Sequence, residues 1–420
     1  MTKQISILIV AFCCFLSTPI FAADSDNAAR IKNMFPIGIW YDGRVEGINC
    51  PPGCVNVPAG LENAREYYKK TFTDIKQHGI DIVVIPNTPP QYRETLLSTA
   101  DEVGVKIVLE LVEIAYAAFG GDISVRSPYM LQDTDILRKK LKAVIDPLRG
   151  HESLLFYQTV DEPSAEEADN LQKVTNLLAE IDPAHPTFSC MCRDNELWRT
   201  ANVGMNMIVF DRYPIALNST PENFDFKTWK TLLDLLHSTG QKNDIPYWMV
   251  LQTFSKPDVY RFPTVPELRA MTYLSLSRNA KGIFFFLYNS RTQGENMQGL
   301  VDTELNPAPL WPDVAKLAGE LKTLSPVILD MQPTESFASC DANNVDVQCF
   351  ADEKGEKYII ATNIDLLKSA DAQLKVEGGK GLKDMLTGEN TAIEQLDQQT
   401  TGTANIKLTP GNGVVLQLRN

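Results

Sequence analysis

The sequence has little histidine and no excess of positive charge. Four histidines occur in 420 residues, and 39 lysines and arginines stand against 53 aspartates and glutamates, a formal net charge of −14. This balance argues against nucleic acid or an anionic membrane as the main partner, and it disfavours a polyanionic substrate. None of the histidines falls at the end of a predicted strand, so we expect no His-rich metal site, no Ser–His relay and no cofactor.

Long apolar runs are also missing beyond the N-terminus, and we expect no membrane span in the mature chain. The N-terminal stretch is typical of a secretory signal peptide, with Lys3, an apolar run and small residues before Ala22. We therefore expect cleavage near Ala22 and an exported protein, periplasmic or secreted. These features do not indicate an oligomeric state.

Six cysteines follow the predicted signal peptide: Cys50, Cys54, Cys190, Cys192, Cys340 and Cys349. An even number in an exported protein favours disulfides. The first and last pairs would each close a short loop, and we expect the last pair to bridge and close a hairpin. The middle pair is harder, since a bridge across one residue is strained. A zinc site is the alternative, although these spacings are not the usual ones for zinc.

Most of the chain alternates short apolar runs with longer amphipathic ones. Eight runs are almost continuously apolar, as strands of a buried parallel sheet are: 35–41, 81–87, 106–113, 154–160, 186–192, 205–215, 245–254 and 282–290. Amphipathic patterns between them, several ending in glycine, predict helices. Eight such units predict an α/β fold, a (β/α)8 TIM barrel over residues 33–328. A doubly wound open sheet is the second possibility. Such a sheet would usually carry a Gly-rich phosphate turn after its first strand, and the segment after residues 35–41 is not of that kind.

The pattern of apolar residues changes near residue 329. Residues 329–420 show alternating segments separated by Gly, Asn and Asp, without a convincing amphipathic helix. This pattern predicts a small antiparallel β-sandwich domain. It carries few aromatic residues, so we expect it to pack on the barrel rather than to bind sugar.

The predicted C-terminal strand ends, where such barrels place their catalytic groups, carry carboxylates, amides and aromatics. They are Trp40, Tyr41, Asp42, Asn87, Glu110, Glu113, Asp161, Glu162, Asp211, Tyr213, Trp248, Gln252, Tyr288 and Asn289. This set suits carboxylate acid/base chemistry on a neutral polar ligand. Aromatic faces beside amides suit stacking on sugars and hydrogen bonding to them, so a carbohydrate is the expected partner.

Each of these residues also has a structural interpretation. Trp40 and Trp248 could belong to the core, Glu110 and Glu113 could pair with helix lysines, and Asp211 could form a surface ion pair. The DEPS segment could simply begin a helix, because acids suit the helix dipole and proline is common in a first turn. That explanation accounts poorly for two adjacent acids directly after a long apolar strand.

The Asp161-Glu162-Pro163 motif after strand four resembles the Asn-Glu-Pro motif of glycoside hydrolase clan A, which are (β/α)8 barrels. The resemblance spans about 290 residues and implies that Glu162 is the general acid/base of a glycosidase acting on a neutral oligo- or polysaccharide. In that clan a second Glu at the end of strand seven is the nucleophile. Here Gln252 stands at the matching position, and an amide cannot act as that nucleophile.

Three alternatives account for the missing nucleophile. Adjacent Asp161 and Glu162 also resemble substrate-assisted N-acetylhexosaminidases, in which the Asp orients the substrate's acetamido group and the Glu protonates the leaving oxygen. An inverting enzyme would pair Glu162 with Asp211 or Glu113 across roughly 6.5–9.5 Å. A carbohydrate-binding pseudo-enzyme would keep the barrel without catalysis.

Alternation along a strand would point Asp161 and Glu162 to opposite faces. If they converge instead, their repulsion should raise one pKa, and the acid must keep its proton near neutral pH. We expect Glu162 to be that acid, Asp161 to stay ionised and Gln252 to hydrogen-bond the sugar. The long loop over residues 114–135 is expected to form a wall over the site.

Overall fold

A computed structural model describes residues 20–49, 57–111, 113, 134–291, 296–395 and 401–420. Eight parallel strands close into a barrel in chain order, with the first strand paired to both the second and the eighth. They are β1 Ile37–Trp40, β2 Ile82–Ile85, β3 Lys106–Glu110, β4 Leu154–Asp161, β5 Thr187–Met191, β6 Ile208–Asp211, β7 Tyr247–Gln252 and β8 Ile283–Phe286. Each lies within one of the apolar runs or extends it by one residue, and the (β/α)8 barrel is confirmed.

Helices connect the barrel strands and bury their apolar faces against them. Those described are α1 Ile20–Lys32, α2 Leu61–Gln77, α3 Arg93–Val103, α4 Thr134–Ile145, α5 Ala168–Ile181, α6 Leu197–Thr200, α7 Lys227–Asn243, α8 Val265–Ser277 and α9 Trp311–Asp330. In α2, Ala64, Tyr68, Phe72 and Ile75 are buried at helical spacing on one face. Within the described ranges, no helix combines the length and apolar character needed to cross a membrane.

The barrel interior is packed with aromatic side chains. Trp248 stacks on Phe284 at 5.9 Å between ring centroids, and Phe156 lies 6.0 Å from Trp248. A Cβ at Gly38 would lie 2.2 Å from the Phe284 ring, so only glycine leaves room for that ring. The lower barrel is therefore closed, and ligands have access only at its rim.

The C-terminal part consists of antiparallel strands in two sheets. They are β9 Gln332–Pro333, β10 Ala338–Cys340, β11 Val345–Ala351, β12 Lys357–Asn363, β13 Ala370–Glu377, β14 Gly381–Asp384, β15 Asn390–Ala392, β16 Glu394–Gln395, β17 Thr401–Leu408 and β18 Gly413–Arg419. One sheet has the order β10-β13-β17-β16, the other β15-β14-β18-β12-β11-β9. Apolar residues of both sheets form a shared core, and the all-β domain is confirmed. Helix α9 runs across the predicted boundary at residue 329.

The predicted disulfide between Cys340 and Cys349 is wrong. Both are free thiols, as are Cys190 and Cys192. Cys340 lies in β10, which pairs with β13, whereas Cys349 lies in β11, which pairs with β12 in the other sheet. The chain between them crosses from one sheet to the other instead of forming a hairpin. Residues 50–56 and 114–133 lie outside the described residues, as does most of the predicted signal peptide.

The β-domain packs closely on helix α8. A Cβ at Gly413 would lie 2.3 Å from the Tyr273 ring, and one at Gly411 would lie 2.0 Å from the Pro266 carbonyl oxygen. Arg269 of α8 donates to the Asn412 side chain at 2.8 Å. The β-domain is therefore in close contact with α8. This agrees with the packing role that its low aromatic content suggested.

A buried ion pair joins the two domains beyond the end of α8. Arg278 donates through both terminal nitrogens to the Asp346 carboxylate, and the two side chains are 10% and 8% exposed. Arg278 also contacts Asp234 at 3.2 Å, but that carboxylate is largely exposed. Asp346 is therefore the main partner of a guanidinium that is removed from water.

We expect Asp346→Ala to lower the free energy of unfolding by about 3 kcal/mol. This value is at the low end of the range for a broken buried ion pair, because Asp234 still contacts Arg278 in the variant. Urea denaturation followed by circular dichroism measures this change. The matched control is Asp371→Ala, an exposed carboxylate 3.7 Å from Lys407, which should change stability by less than about 0.5 kcal/mol. Equal effects of the two substitutions would contradict a stabilising role for the pair.

Candidate active site

Three barrel strands end in carboxylates at the same rim. Glu110 is the last residue of β3, Asp161 of β4 and Asp211 of β6. Parallel strands of a barrel present their carboxyl ends on one face, so these side chains share the mouth of the barrel. The pairing of β4 with β5 is irregular between Gln158 and Asp161, and such irregularities often redirect side chains beside active sites.

Glu162 follows β4 with a left-handed backbone, at a φ of 50°. Its amide donates to the Cys190 carbonyl at 2.8 Å, and its own carbonyl accepts from Arg193. This turn ends the strand alternation, so Asp161 and Glu162 do not diverge. One carboxylate oxygen of Glu162, one of Asp211 and the sulfur of Cys192 all lie within 4.8 Å of one another.

Asp161 touches solvent but lies in a concavity closely surrounded by protein. Burial raises its pKa to about 8, and the negative charges of Asp211 and Glu162 add to this shift. At neutral pH the Asp161 carboxyl therefore keeps its proton. The expectation that Asp161 stays ionised is not supported, and a protonated Asp161 can donate a hydrogen bond to a ligand.

Asp211 is 6% exposed. Burial and then the charge of Glu162 raise its pKa to about 7, while a hydrogen bond from Tyr213 acts in the opposite direction. The Oδ1 atom of Asp211 is buried without a hydrogen-bond partner in the described part of the chain. Asp211 is thus held in place by Tyr213, and its Oδ1 atom is left without a hydrogen-bond donor.

The opposite wall of the mouth combines acids with one arginine. Glu110 accepts the Asn87 backbone N–H at 2.7 Å, and burial raises the Glu110 pKa. Asp42 is fully buried and forms ion pairs with Arg44 at 2.6 Å and Arg291 at 3.0 Å. Arg291 lies over the Phe286 ring, 5.3 Å from its centroid, and its charge opposes the rise in pKa of Asp161.

An aromatic floor lies beneath these charges. Trp40, 3% exposed, contacts Phe286 at 6.4 Å between ring centroids, and Tyr213 stacks on Phe286 at 5.4 Å. Phe254 meets Phe286 edge to face at 5.1 Å. A ligand entering the mouth would meet the upper edge of this layer, while Trp40 itself belongs mainly to the core.

Three predicted ligand-binding aromatics do not face the mouth. Trp248 is fully buried inside the barrel against Phe156 and Phe284, so it cannot be a sugar platform. Tyr41 and Tyr288 stack on each other at 5.9 Å, and the Tyr288 hydroxyl donates to Asp74 of α2 at 2.8 Å. Both tyrosines point outward, into the layer between the barrel and its helices.

Two predicted sugar-binding amides are engaged by backbone atoms. Gln252 ends β7 as expected, but it accepts from the Ile215 amide at 3.0 Å and donates to the Ile215 and Arg261 carbonyls, both at 3.1 Å. Asn289 bonds both backbone polar atoms of Asp42, at 2.8 and 3.1 Å. The expectation that Gln252 binds sugar is therefore wrong: it joins two loops, and Asn289 positions Asp42.

Glu113 is also committed elsewhere. Its carboxylate forms a two-pronged, buried ion pair with Arg93 at 2.9 and 3.2 Å, so it is not free to act as a base. Asp211 lies closer to Glu162 than the inverting alternative requires. Both inverting partners considered from the sequence are thereby disfavoured.

Sequence reasoning missed two residues of the site and one buried amide on β4. Arg291 is the first charged residue after β8, a signal that was present but overlooked. Cys192 was considered only for bridging or zinc with other cysteines. Gln158 is fully buried in the barrel, and neither atom of its amide has a hydrogen-bond partner among the described residues. A polar residue in the middle of an apolar strand was the available signal for it.

No protein-family model and no curated protein matches the sequence. Solved structures do match. The chain is similar to a β-galactosidase from Bacillus circulans sp. alkalophilus, with a TM-score of 0.64 and 8% identity over 92% of this chain and 99% of the other. It is also similar to a GH27 β-L-arabinopyranosidase from Geobacillus stearothermophilus, with a TM-score of 0.57 and 11% identity over 94% and 98%. The likeness is one of fold.

The chain spans 62% of the β-galactosidase from Marinomonas ef1, which covers 71% of this chain at 11% identity and a TM-score of 0.50. These neighbours are glycoside hydrolases, and the (β/α)8 barrel expected from the resemblance is confirmed. At these identities the comparison establishes the architecture, and the activity has to be argued from the site.

Proposed function

We propose that the protein is a glycoside hydrolase acting on a neutral oligo- or polysaccharide, with Glu162 as general acid/base. The observation that carries this proposal is the convergence of Glu162 and Asp211, within 4.8 Å, at the C-terminal mouth of the barrel. Cleavage of a glycosidic bond needs two carboxyl groups on either side of the anomeric carbon. Asp161 stands beside this pair and would bind a sugar hydroxyl.

The short separation supports a retaining mechanism. Retaining enzymes hold their two carboxyls about 5–5.5 Å apart, whereas inverting enzymes leave roughly 6.5–9.5 Å for a water molecule. Asp211, buried and held by Tyr213, is placed to attack the anomeric carbon and form a glycosyl ester. Glu162, exposed at the rim, donates its proton to the leaving oxygen. It then removes a proton from the water that cleaves the ester.

The groups that line the mouth favour a neutral substrate. Arg291 is already paired with Asp42, whereas the protonated Asp161 carboxyl can donate a hydrogen bond to a neutral hydroxyl. A uronic acid would therefore gain little from this wall of the site.

A groove of about 800 Å³ is lined by Arg212, which follows Asp211 in the chain, and by Phe224 and Trp229. It offers room for the part of an oligosaccharide beyond the bond that is cleaved.

The test is a screen of aryl glycosides and neutral oligosaccharides, with the anomer of the first-formed product followed by proton NMR. We expect hydrolysis with retention. First-formed product of inverted configuration would overturn the retaining mechanism, and binding without turnover would favour the pseudo-enzyme. Paired substrates with and without a 2-acetamido group test the substrate-assisted alternative, which requires a strong preference for the acetamido sugar and a large loss in Asp161→Asn.

The pH profile gives a further prediction. The pKa of Asp211 is raised to about 7, so this carboxyl holds its proton below that pH and is ionised, as a nucleophile must be, above it. We expect kcat/KM, measured with a chelator present, to fall about tenfold per pH unit on the acid side, below about pH 7. A dinitrophenyl glycoside, which still needs the nucleophile, should show the same decline. A profile that stays flat from pH 7 down to pH 5 would contradict the nucleophilic role of Asp211.

We also propose that the protein is exported after cleavage near Ala22, on the strength of the N-terminal sequence pattern. The N-terminal sequence of protein recovered outside the cytoplasm tests this proposal. A mature chain that still begins at Met1 would contradict it.

A further inference from the structure

Cys192 brings a thiol to the catalytic carboxylates. It lies just beyond the end of β5 and is partly exposed, and its sulfur is within 4.8 Å of a carboxylate oxygen of both Glu162 and Asp211. The glycosidase chemistry proposed above uses the two carboxylates and gives the thiol no part. A sulfur and two carboxylate oxygens at the ends of the neighbouring strands β4, β5 and β6 form a ligand set that binds metal ions in other proteins.

Asp211 supplies an independent indication of a ligand. It is 6% exposed, yet its Oδ1 atom has no hydrogen-bond partner within the described residues. A buried acceptor without a donor is unfavourable, because the group has lost its contacts with water. Among the described residues no polar group relieves it, because the protonated Asp161 makes no hydrogen bond to this atom and Glu162 is a further acid. A cation at this point would satisfy the oxygen and the surrounding acids together.

We propose that Glu162, Cys192 and Asp211 bind a thiophilic divalent cation of the Zn²⁺ class, and that the bound ion blocks catalysis. Three protein ligands leave a fourth, open position for water, as in other sites of this kind. The binding part stands on the geometry alone. The inhibitory part rests on the proposed function, because an ion held by both carboxylates prevents one from attacking and the other from donating a proton.

The geometry requires only a small adjustment. Zinc–sulfur bonds of about 2.3 Å and zinc–oxygen bonds of about 2.0–2.2 Å place neighbouring ligand atoms roughly 3.3–3.6 Å apart in a tetrahedron. The three ligand atoms lie within 4.8 Å of one another, so side-chain rotations that move each atom by about 1 Å would bring them to these distances. Binding would release the thiol proton to solvent. The sulfur excludes Mg²⁺ and Ca²⁺ as preferred occupants, because both favour sites made of oxygen atoms.

Two arginines lie near the thiol, and both are hydrogen-bonded to backbone carbonyls. Arg212 donates to the Cys192 carbonyl at 3.2 Å, and Arg193 donates to the Glu162 carbonyl. Both bind backbone oxygens rather than the three proposed ligand atoms. Tyr213 holds Asp211 from one side and the Cys192 thiol hydrogen-bonds the Glu162 carboxylate, so an ion entering from the mouth would replace the thiol–carboxylate hydrogen bond.

The test uses the full-length chain after chelator treatment. Zn²⁺ is titrated against a chromophoric chelator, and Co²⁺ is added separately to look for the charge-transfer band of a cobalt–thiolate bond. We expect the band in the wild type and its loss in Cys192→Ser, with zinc affinity at least about tenfold weaker, since even lost outer partners of a metal ligand have that effect. Cys340→Ser, a half-buried thiol of the β-domain, is the matched control and should bind as the wild type does.

Activity is measured in parallel as the ratio of rates with zinc and with chelator. We expect zinc to inhibit the wild type and Cys340→Ser more strongly than Cys192→Ser, and Mg²⁺ to inhibit none of them. A wild type without the cobalt band, or equal zinc affinity in Cys192→Ser, would overturn the site. A correct cobalt band in a protein that hydrolyses no glycoside would leave the site standing and overturn the proposed function. Should Cys192→Ser fail to fold, Asp211→Asn tests the same ligand set.

Discussion

Asp211→Asn should abolish glycoside hydrolysis while leaving the fold intact. The substitution removes the attacking carboxylate with almost no change in shape, and we expect kcat/KM to fall by roughly 10⁴-fold or more, as for other lost catalytic nucleophiles. Small anions such as azide should restore turnover of an activated aryl glycoside. The product would be a glycosyl azide of inverted configuration, which NMR identifies directly.

The control is Asp258→Asn, an exposed carboxylate on the loop between β7 and α8, at the same end of the barrel. Its φ of 63° is one that asparagine tolerates as readily as aspartate. We expect this variant to keep its activity within about twofold, as for a surface substitution outside the site. If Asp211→Asn retains activity to the same degree, Asp211 is not the nucleophile, and Asp161 becomes the next carboxylate to examine.

Glu162→Gln should slow hydrolysis in proportion to the need for protonation of the leaving group. With oligosaccharides and other poor leaving groups we expect a loss of about 10²–10⁴-fold, the usual contribution of a general acid. With a dinitrophenyl glycoside the first step should be nearly unchanged. The second step, hydrolysis of the glycosyl ester, would then limit the rate, and a burst of dinitrophenolate should precede slow turnover.

Glu166→Gln serves as the control for this substitution, because Glu166 is exposed on the same segment after β4. It should behave as the wild type with both kinds of substrate. Equal losses of Glu162→Gln on good and poor leaving groups would remove Glu162 from the acid role. Asp161, whose raised pKa keeps it protonated at neutral pH, would be the remaining proton donor.

The barrel was predictable because each of its strands carries its own apolar run. Burial on both faces makes such a run visible without any knowledge of its partners. The short strands β9, β10 and β14 to β16 could not be predicted individually, because two to four residues carry too little pattern and depend on neighbouring strands for their pairing. The free thiols of Cys340 and Cys349 were missed for a related reason, since the assignment of strands to sheets is not a local property.

Which predicted residues face the site was less predictable. Asp161, Glu162 and Asp211 were found because they mark strand ends on one rim. The directions of Trp248 and Tyr288 could not be inferred, since strands that are apolar on both faces show no alternation. The partners of Gln252 are backbone atoms of distant loops, which no residue pattern reveals. The convergence of the two adjacent acids depends on the left-handed turn at Glu162.

The glycines that face helix α8 bear on how such a chain evolves. At Gly411 and Gly413 even one added carbon would collide with Pro266 or Tyr273, so the two surfaces fit only each other. If recombination replaced the C-terminal domain by an unrelated one, the side chains that project from α8 would therefore meet a surface without the matching glycines. We expect the barrel and its β-domain to be inherited together, and new specificities to arise in the rim loops rather than by domain shuffling.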